Sequence, residues 1–178
     1  MSGGGFEAAG GAVHGEHPFL RPEQQREPVR RLRGRLSAPV TLWTAADGAQ
    51  RAGLTVSSVL VGEPGQLAGL LGDESDVLEV LTASGAFAVT VLDWSRRPLA
   101  DAFSFLGPAP GGPFTLATWT DTAWGPVPAG DVTWAGCRVT GVRTLGWSAL
   151  VEARIEHVEP GADADPLVWQ RGRYRHLG

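Results

Sequence analysis

Between residues 40 and 60 two β-rich runs flank Asp47-Gly48, and this arrangement constrains the fold more than any other stretch of the chain. Val40–Thr44 is β-branched and aromatic, and Ala45-Ala46-Asp47-Gly48 reads as a turn because Gly accepts the positive φ that hairpin turns demand. The return arm, Arg51–Leu60, carries Thr55, Ser57 and Ser58 inside an otherwise apolar strand. Buried hydroxyls need partners. Three so close together point to a ligand with many acceptors, a phosphate or a ribityl-like polyol.

The rest of the chain repeats the pattern of short strands. Gln66–Leu71, Ala86–Leu92, Phe114–Thr120, Val132–Arg143 and Ser148–Val158 are expected as strands, with a closing hairpin from Leu167-Val168-Trp169 to Gly172-Arg173-Tyr174. In Ser148–Val158, Ala149, Val151, Ala153 and Ile155 alternate with Glu152, Arg154 and Glu156, so the two sets face opposite ways. Glu63-Pro64-Gly65 and Asp163-Ala164-Asp165-Pro166 read as turns, and Gly107–Pro113 as a loop. Helices are few. One opens near Ser75 with Val77, Leu78 and Leu81 turned inward, one runs from Pro98 to Phe105, and Val29, Leu32 and Leu36 share helical spacing before the first strand. Seven or so strands with two or three short helices indicate a mainly β fold, an antiparallel barrel or sandwich. Residues 1–27, glycine-rich and then polar, are expected as a disordered tail ahead of one domain over 28–178.

Composition removes several function classes. A net charge of −4 argues against a nucleic-acid surface. The 15 basic residues are all arginine. Without lysine the chain can make neither a Schiff base nor a Walker-type phosphate loop. The single Cys137, in an apolar strand, forms no internal disulfide and no cysteine zinc cluster and is read as a small buried hydrophobe. His157, Glu156, Glu159 and Asp163 match no established metal-ligand spacing, and no metal is expected. No apolar run reaches transmembrane length and the first residues are no signal peptide, so a soluble cytoplasmic protein is the expectation.

One constellation of motifs resembles a known family. The block T-A-x-D-G-x-x-x-A-G-L-T-V-S-S (Thr44 to Ser58) is followed by Ser75-Asp76, Phe87-Ala88-Val89-Thr90-Val91-Leu92 and Leu99-Ala100-Asp101-Ala102-Phe103. Then come Trp134-Ala135-Gly136-Cys137-Arg138-Val139 and Pro166-Leu167-Val168-Trp169-x-x-x-x-Tyr174. In order and content these resemble the flavin reductase-like family, from about Arg30 to Leu177. The resemblance implies an FMN-binding split β-barrel of Greek-key type, a homodimer with flavin near the subunit interface, and hydride transfer through that flavin. FMN is the implied cofactor, FAD an alternative, NADH or NADPH the electron donor, and a partner monooxygenase the recipient of reduced flavin. It assigns Thr55, Val56, Ser57 and Ser58 to the ribityl chain and phosphate, Ser75 to the phosphate at a helix start, and Thr44 and Phe103 to the ring edge.

Two departures bear on activity. The Gly-Asp-His triplet of the family's reductases is here Gly146-Trp147-Ser148, and the Asn expected after the Phe-Ala-Val run is Thr90. No catalytic residue is assigned. Flavin chemistry needs no protein nucleophile, since the cofactor carries the reaction and the protein orients it. The first departure keeps a second reading open, a flavin-binding protein that stores, senses or is stabilised by FMN without turning it over. Ser57 or Ser58 as a hydrolytic nucleophile lacks any G-x-S-x-G context.

Overall fold

The computed structural model describes residues 23–177, with side chains from residue 28 onward. His14, His17 and the first 22 residues of the expected tail lie outside the described residues. The chain divides into two compact units, Met1–Arg33 and Gly34–Gly178. Helix α1 (Glu23–Arg35) runs across that boundary, begins inside the expected tail and carries Pro28 in its interior. The residues expected at the site lie in the second unit.

That unit is built from β1 (Ala38–Pro39), β2 (Thr41–Asp47), β3 (Gln50–Val56), β4 (Val59–Gly62) and β5 (Gln66–Gly72). Helix α2 (Asp76–Ser84), β6 (Ala86–Val91) and helix α3 (Arg97–Phe103) follow. The second half holds β7 (Trp119–Asp121), β8 (Pro126–Pro128), β9 (Trp134–Leu145), β10 (Ser148–Glu159), β11 (Val168–Gln170) and β12 (Arg173–Arg175). Its main sheet has seven antiparallel strands in the order β3-β2-β6-β9-β10-β5-β4. The hairpins obey turn chemistry. Asp47 pairs with Gln50 across Gly48-Ala49, with φ of 58° at Gly48, the positive first position of a type II′ turn. Arg171 and Gly172 both have positive φ (52° and 75°), the type I′ pattern between β11 and β12.

The two edges of this sheet are consecutive in sequence. β3 pairs with β2 and β4 with β5, and only Ser57-Ser58 separates them. Three Cα steps reach at most about 11 Å, so the edges must meet. Residues 50–62 act as one kinked strand that changes partners at the two serines, and the sheet closes into a barrel split at that point. The mainly β, split-barrel expectation is therefore met.

Alternation fills the barrel. Ala52 and Val56, Leu67 and Leu71, Phe87 and Val89, and Val151 and Ala153 point inward. Trp43 is fully buried, stacks on Phe87 (4.6 Å between centroids, 21° between planes) and reaches β5. A Cβ at Gly69 would sit 2.6 Å from the Trp43 ring, so only glycine leaves room for the indole. Helix α2 covers the interior with Val77, Val80 and Leu81, a spacing of i, i+3, i+4. Leu78, expected inside, is half-buried and packs against the same core, while Val80 is fully buried. Gly85 ends the helix at φ 71°, its N–H bonded to the Leu81 carbonyl.

The outer face of β2 and β6 is covered as well. Val40, Leu42, Leu92, Leu99, Phe103 and Leu167 form a second core beneath α3 and the β11–β12 hairpin. Phe114–Thr120 is not one strand, as expected, but a 3₁₀ turn over Pro113–Leu116 followed by β7. The turn points the Phe114 ring at Phe103 and Trp119 (5.0 and 4.8 Å), and those ring contacts outweigh local β propensity. Asp163–Pro166 is irregular chain bridged to Asp93 rather than a turn.

Gly69→Ala is expected to cost about 1–3 kcal/mol in urea denaturation, since the buried indole must move to admit a methyl group. Gly72→Ala, where a Cβ meets nothing within 4 Å, is expected to leave the midpoint close to wild type.

Candidate functional site

The partner change at Ser57-Ser58 gathers the hydroxyls singled out in the sequence and divides their roles. Gly53 and Thr55 face outward toward α3, and Ser57 follows the end of β3 at the kink. The Thr55 hydroxyl donates to the Ala100 carbonyl at 2.7 Å, which ties α3 to β3. Ser58 donates to the Leu70 carbonyl (2.9 Å) and accepts from the Leu70 N–H (3.1 Å), standing in for the missing ladder bond between the strand and β5. Val56 is buried in the barrel, and its carbonyl accepts from the Thr41 hydroxyl (2.7 Å), which in turn accepts from the Trp43 indole (3.1 Å). Thr41 escaped the sequence reading, although a threonine two residues before a buried tryptophan is the signal for such a bond.

That leaves Ser57. Its side chain is half-buried and makes no hydrogen bond among the described residues. Around it, the side of β3 away from β2 and the side of β4 away from β5 pair with no strand among the described residues. Unpaired edge N–H and C=O groups beside a free hydroxyl form a row of donors and acceptors for a polar ligand.

The other expected contacts sit elsewhere. Thr44 is fully buried, with its hydroxyl donating to the Pro126 carbonyl at 2.6 Å. Phe103 is also fully buried, against Gly53 and edge-on to Phe114 and Trp119. Neither presents a surface to a ligand in this structure. Ser75 lies in the loop after β5 as the N-cap residue of α2, but its hydroxyl donates back to the Gly72 carbonyl (2.8 Å) and caps no helix N–H. It lines a hollow of about 420 Å³ together with Asp73, Glu74, Leu78 and Glu79. Asp76 and Glu79 occupy the first helical turn, so carboxylates already answer the helix dipole and oppose a phosphate there.

Gly146 and Trp147 form the tip between β9 and β10, with φ of 64° at Gly146, a second type II′ turn. The turn demands the glycine, and it carries Trp147 outward, 56% exposed, next to Ser148, which pairs with Gly72.

Shifted pKa values often mark reactive groups, but here they mark packing. Burial pushes the Cys137 thiol up to about 12, with the Glu156 carboxylate adding to the effect. On the outer face of β10, the Trp124 indole, Arg154 and Arg138 donate to Glu156 and hold its carboxyl down at about 2. His157, beside it, stacks between Trp124 and Trp134 (5.3 and 4.7 Å). Among the described residues no cluster of three or more His, Cys, Asp or Glu has the geometry to hold a metal ion, and no helix is long and apolar enough to cross a membrane.

Two consequences can be measured. Cys137 is expected to resist thiol-specific reagents at neutral pH in the folded protein and to react at once in denaturant. Glu156, with its folded value lowered, contributes its full stabilisation above the ordinary carboxylate range near 4.3 and loses it as pH falls toward 2. Glu156→Gln is therefore expected to lower the melting temperature at neutral pH and to match wild type at the acid end.

Comparison with known proteins agrees with this architecture. The family model described as a flavin reductase like domain matches residues 33–178. The FMN reductase (NADH) RutF of Ancylobacter novellus is 27% identical over 156 residues, covering 86% of each chain. A RutF of Methylorubrum extorquens PA1 is 28% identical over 151 residues, covering 83% of this chain and 74% of that protein. The solved structure of the NADH:FAD oxidoreductase SgcE6 of Streptomyces globisporus C-1027, in complex with NAD and FAD fragments, superposes with a TM-score of 0.78 at 21% identity. It covers 89% of this chain and 96% of its own, a likeness of fold.

Proposed function

This chain belongs to the flavin reductase-like family, and from that membership we propose that it is an FMN-dependent oxidoreductase. It takes hydride from NADH or NADPH and passes reduced flavin to a partner monooxygenase. The observation that carries the reading is the family match over residues 33–178, joined to a barrel whose split exposes the unpartnered Ser57 hydroxyl. The curated relatives are named as NADH-dependent FMN reductases, which supports both the cofactor and the donor.

The residues present fit such a cofactor. A ribityl chain and phosphate carry many acceptors and few apolar atoms, and the split supplies one free hydroxyl and unpaired backbone amides beside Val56, Ser57 and Ser58. Bound there, the flavin supplies the hydride acceptor and donor that the protein itself lacks. Ser57 holds the ligand, Thr55 fixes α3 against the strand, and Ser58 keeps the split at constant width. A second copy of the chain is part of the same proposal, since Leu60 and Val61 on β4 are more than two-thirds exposed and leave apolar surface to be covered. The position of Trp147 favours one competing reading. With Trp147 in place of the acid and Ser148 in place of the imidazole, the protein holds flavin without turning it over.

Anaerobic mixing of the FMN-loaded protein with NADH and with NADPH is expected to bleach the oxidised flavin band with at least one of them. Bleaching with neither leaves the binding-only reading, and no affinity for FMN or FAD removes both. Ser57→Ala is expected to weaken FMN binding by about 1.5–3 kcal/mol, roughly tenfold or more in Kd. Ser58→Ala is expected to lower stability by about 1 kcal/mol instead, because its hydroxyl serves Leu70.

A further inference from the structure

Helix α3 ends in a Schellman motif with the wrong residue at its critical position. The Leu106 N–H bonds to the Asp101 carbonyl (3.0 Å) and the Phe105 N–H to the Ala102 carbonyl (3.3 Å), the paired closures that define the motif. The residue between the helix and Leu106 must then adopt a left-handed conformation. Glycine does so at no steric cost and bulky side chains do not. Here it is Phe105, at φ 58°, and its side chain is 76% exposed.

Two unfavourable features thus coincide, a strained backbone and an aromatic ring in water. Neither is relieved by packing. The neighbouring rings of Phe103, Phe114 and Trp119 close on one another at 4.8–5.7 Å and leave Phe105 outside. Strain that persists without a packing benefit is a mark of function.

The orientation of α3 says which function. Ala100 meets Thr55 and Phe103 meets Gly53, so the helix runs antiparallel to β3 and carries Phe105 away from Ser57 along the strand's outward side. From Ser57 back to Gly53 the strand covers about 13 Å at 3.3 Å per residue, and since α3 lies over Thr55 and Gly53 the open route along it is the unpaired edge of β3. That span is comparable to the length of an extended flavin mononucleotide. We infer that Phe105 is a ligand-stacking residue, whose ring, presented by the strained end of α3, receives the planar ring of the ligand anchored at Ser57. The inference rests on the proposed flavin site. Gly107, where a Cβ would come 3.1 Å from Asp101, and the prolines at 108, 110 and 113 restrict the loop that follows, so the ring stands on a stiff support.

The test compares Phe105→Gly, Phe105→Ala and Phe105→Trp with wild type in melting temperature, FMN affinity and the quenching of flavin fluorescence on binding. Phe105→Gly is expected to raise the melting temperature by about 2–4 °C, while weakening FMN binding roughly fivefold or more and abolishing the quenching that stacking adds. Phe105→Ala should lose the same affinity without the gain in stability, which separates ring from strain, and Phe105→Trp should restore both affinity and quenching. Wild-type FMN affinity and quenching in Phe105→Gly would overturn the inference while leaving the flavin site intact. Absence of FMN binding by wild type would overturn both.

Discussion

One strand that changes partners organises this molecule. Residues 50–62 pair with β2 along their first half and with β5 along their second, and the two serines between are too short to let those neighbours separate. A sheet whose edges are held this way must curl, and the inward residues of every strand then face one another across a closed interior. Ser58 bonds both backbone groups of Leu70, and Thr41 holds the Val56 carbonyl, so the corner is fixed from both sides. Backbone groups that a continuous ladder would have used are left over at the split. The same constraint thus closes the barrel and opens its polar surface.

Closure sets strict terms for packing. Large rings lie against glycines on both sides of the sheet: Trp43 against Gly69 inside, and Phe103 against Gly53 and Trp124 against Gly136 outside. A Cβ at any of the three would fall within 2.6 Å of a ring atom. Interiors packed to crystal-like density accommodate such an addition only by moving their neighbours. These glycines are shaped by the rings they face, whereas Gly48, Gly85 and Gly146 answer to backbone conformation, each with a positive φ. Cys137 and Glu156 show the same economy in their chemistry. Each has a displaced pKa for a structural reason, one through burial and the other through three donors.

Much of this was legible along the chain, for local reasons. Asp47-Gly48 marked the hairpin, and the alternation from Ala149 to Ala153 marked the long β10 strand. The strand misread at Phe114–Thr120 and the partners taken by the expected site residues both reflect competition between local preference and distant contact. Phe114–Thr120 has the composition of a strand, but ring packing with Phe103 turns its first half into a helical turn. Thr55, Ser57 and Ser58 look equivalent in sequence, yet Ala100 and Leu70 claim two of them and leave only Ser57 free. Thr44 and Phe103 belong to the same motifs and are buried by segments far from them in the chain.

The sequence by itself determined the family and the strand-rich architecture, and it gathered the hydroxyls of Thr55, Ser57 and Ser58 into one neighbourhood. Turn residues, alternation and motif order are properties of a few consecutive residues and survive without knowledge of what packs where. Only the tertiary structure decided which hydroxyl in that neighbourhood is free, where carboxylates gather around Ser75, and that Phe105 projects in a left-handed conformation at the end of α3. Those depend on which carbonyl, ring or helix end arrives from elsewhere in the chain, and hydrogen-bond competition and steric exclusion are settled only once the barrel has closed.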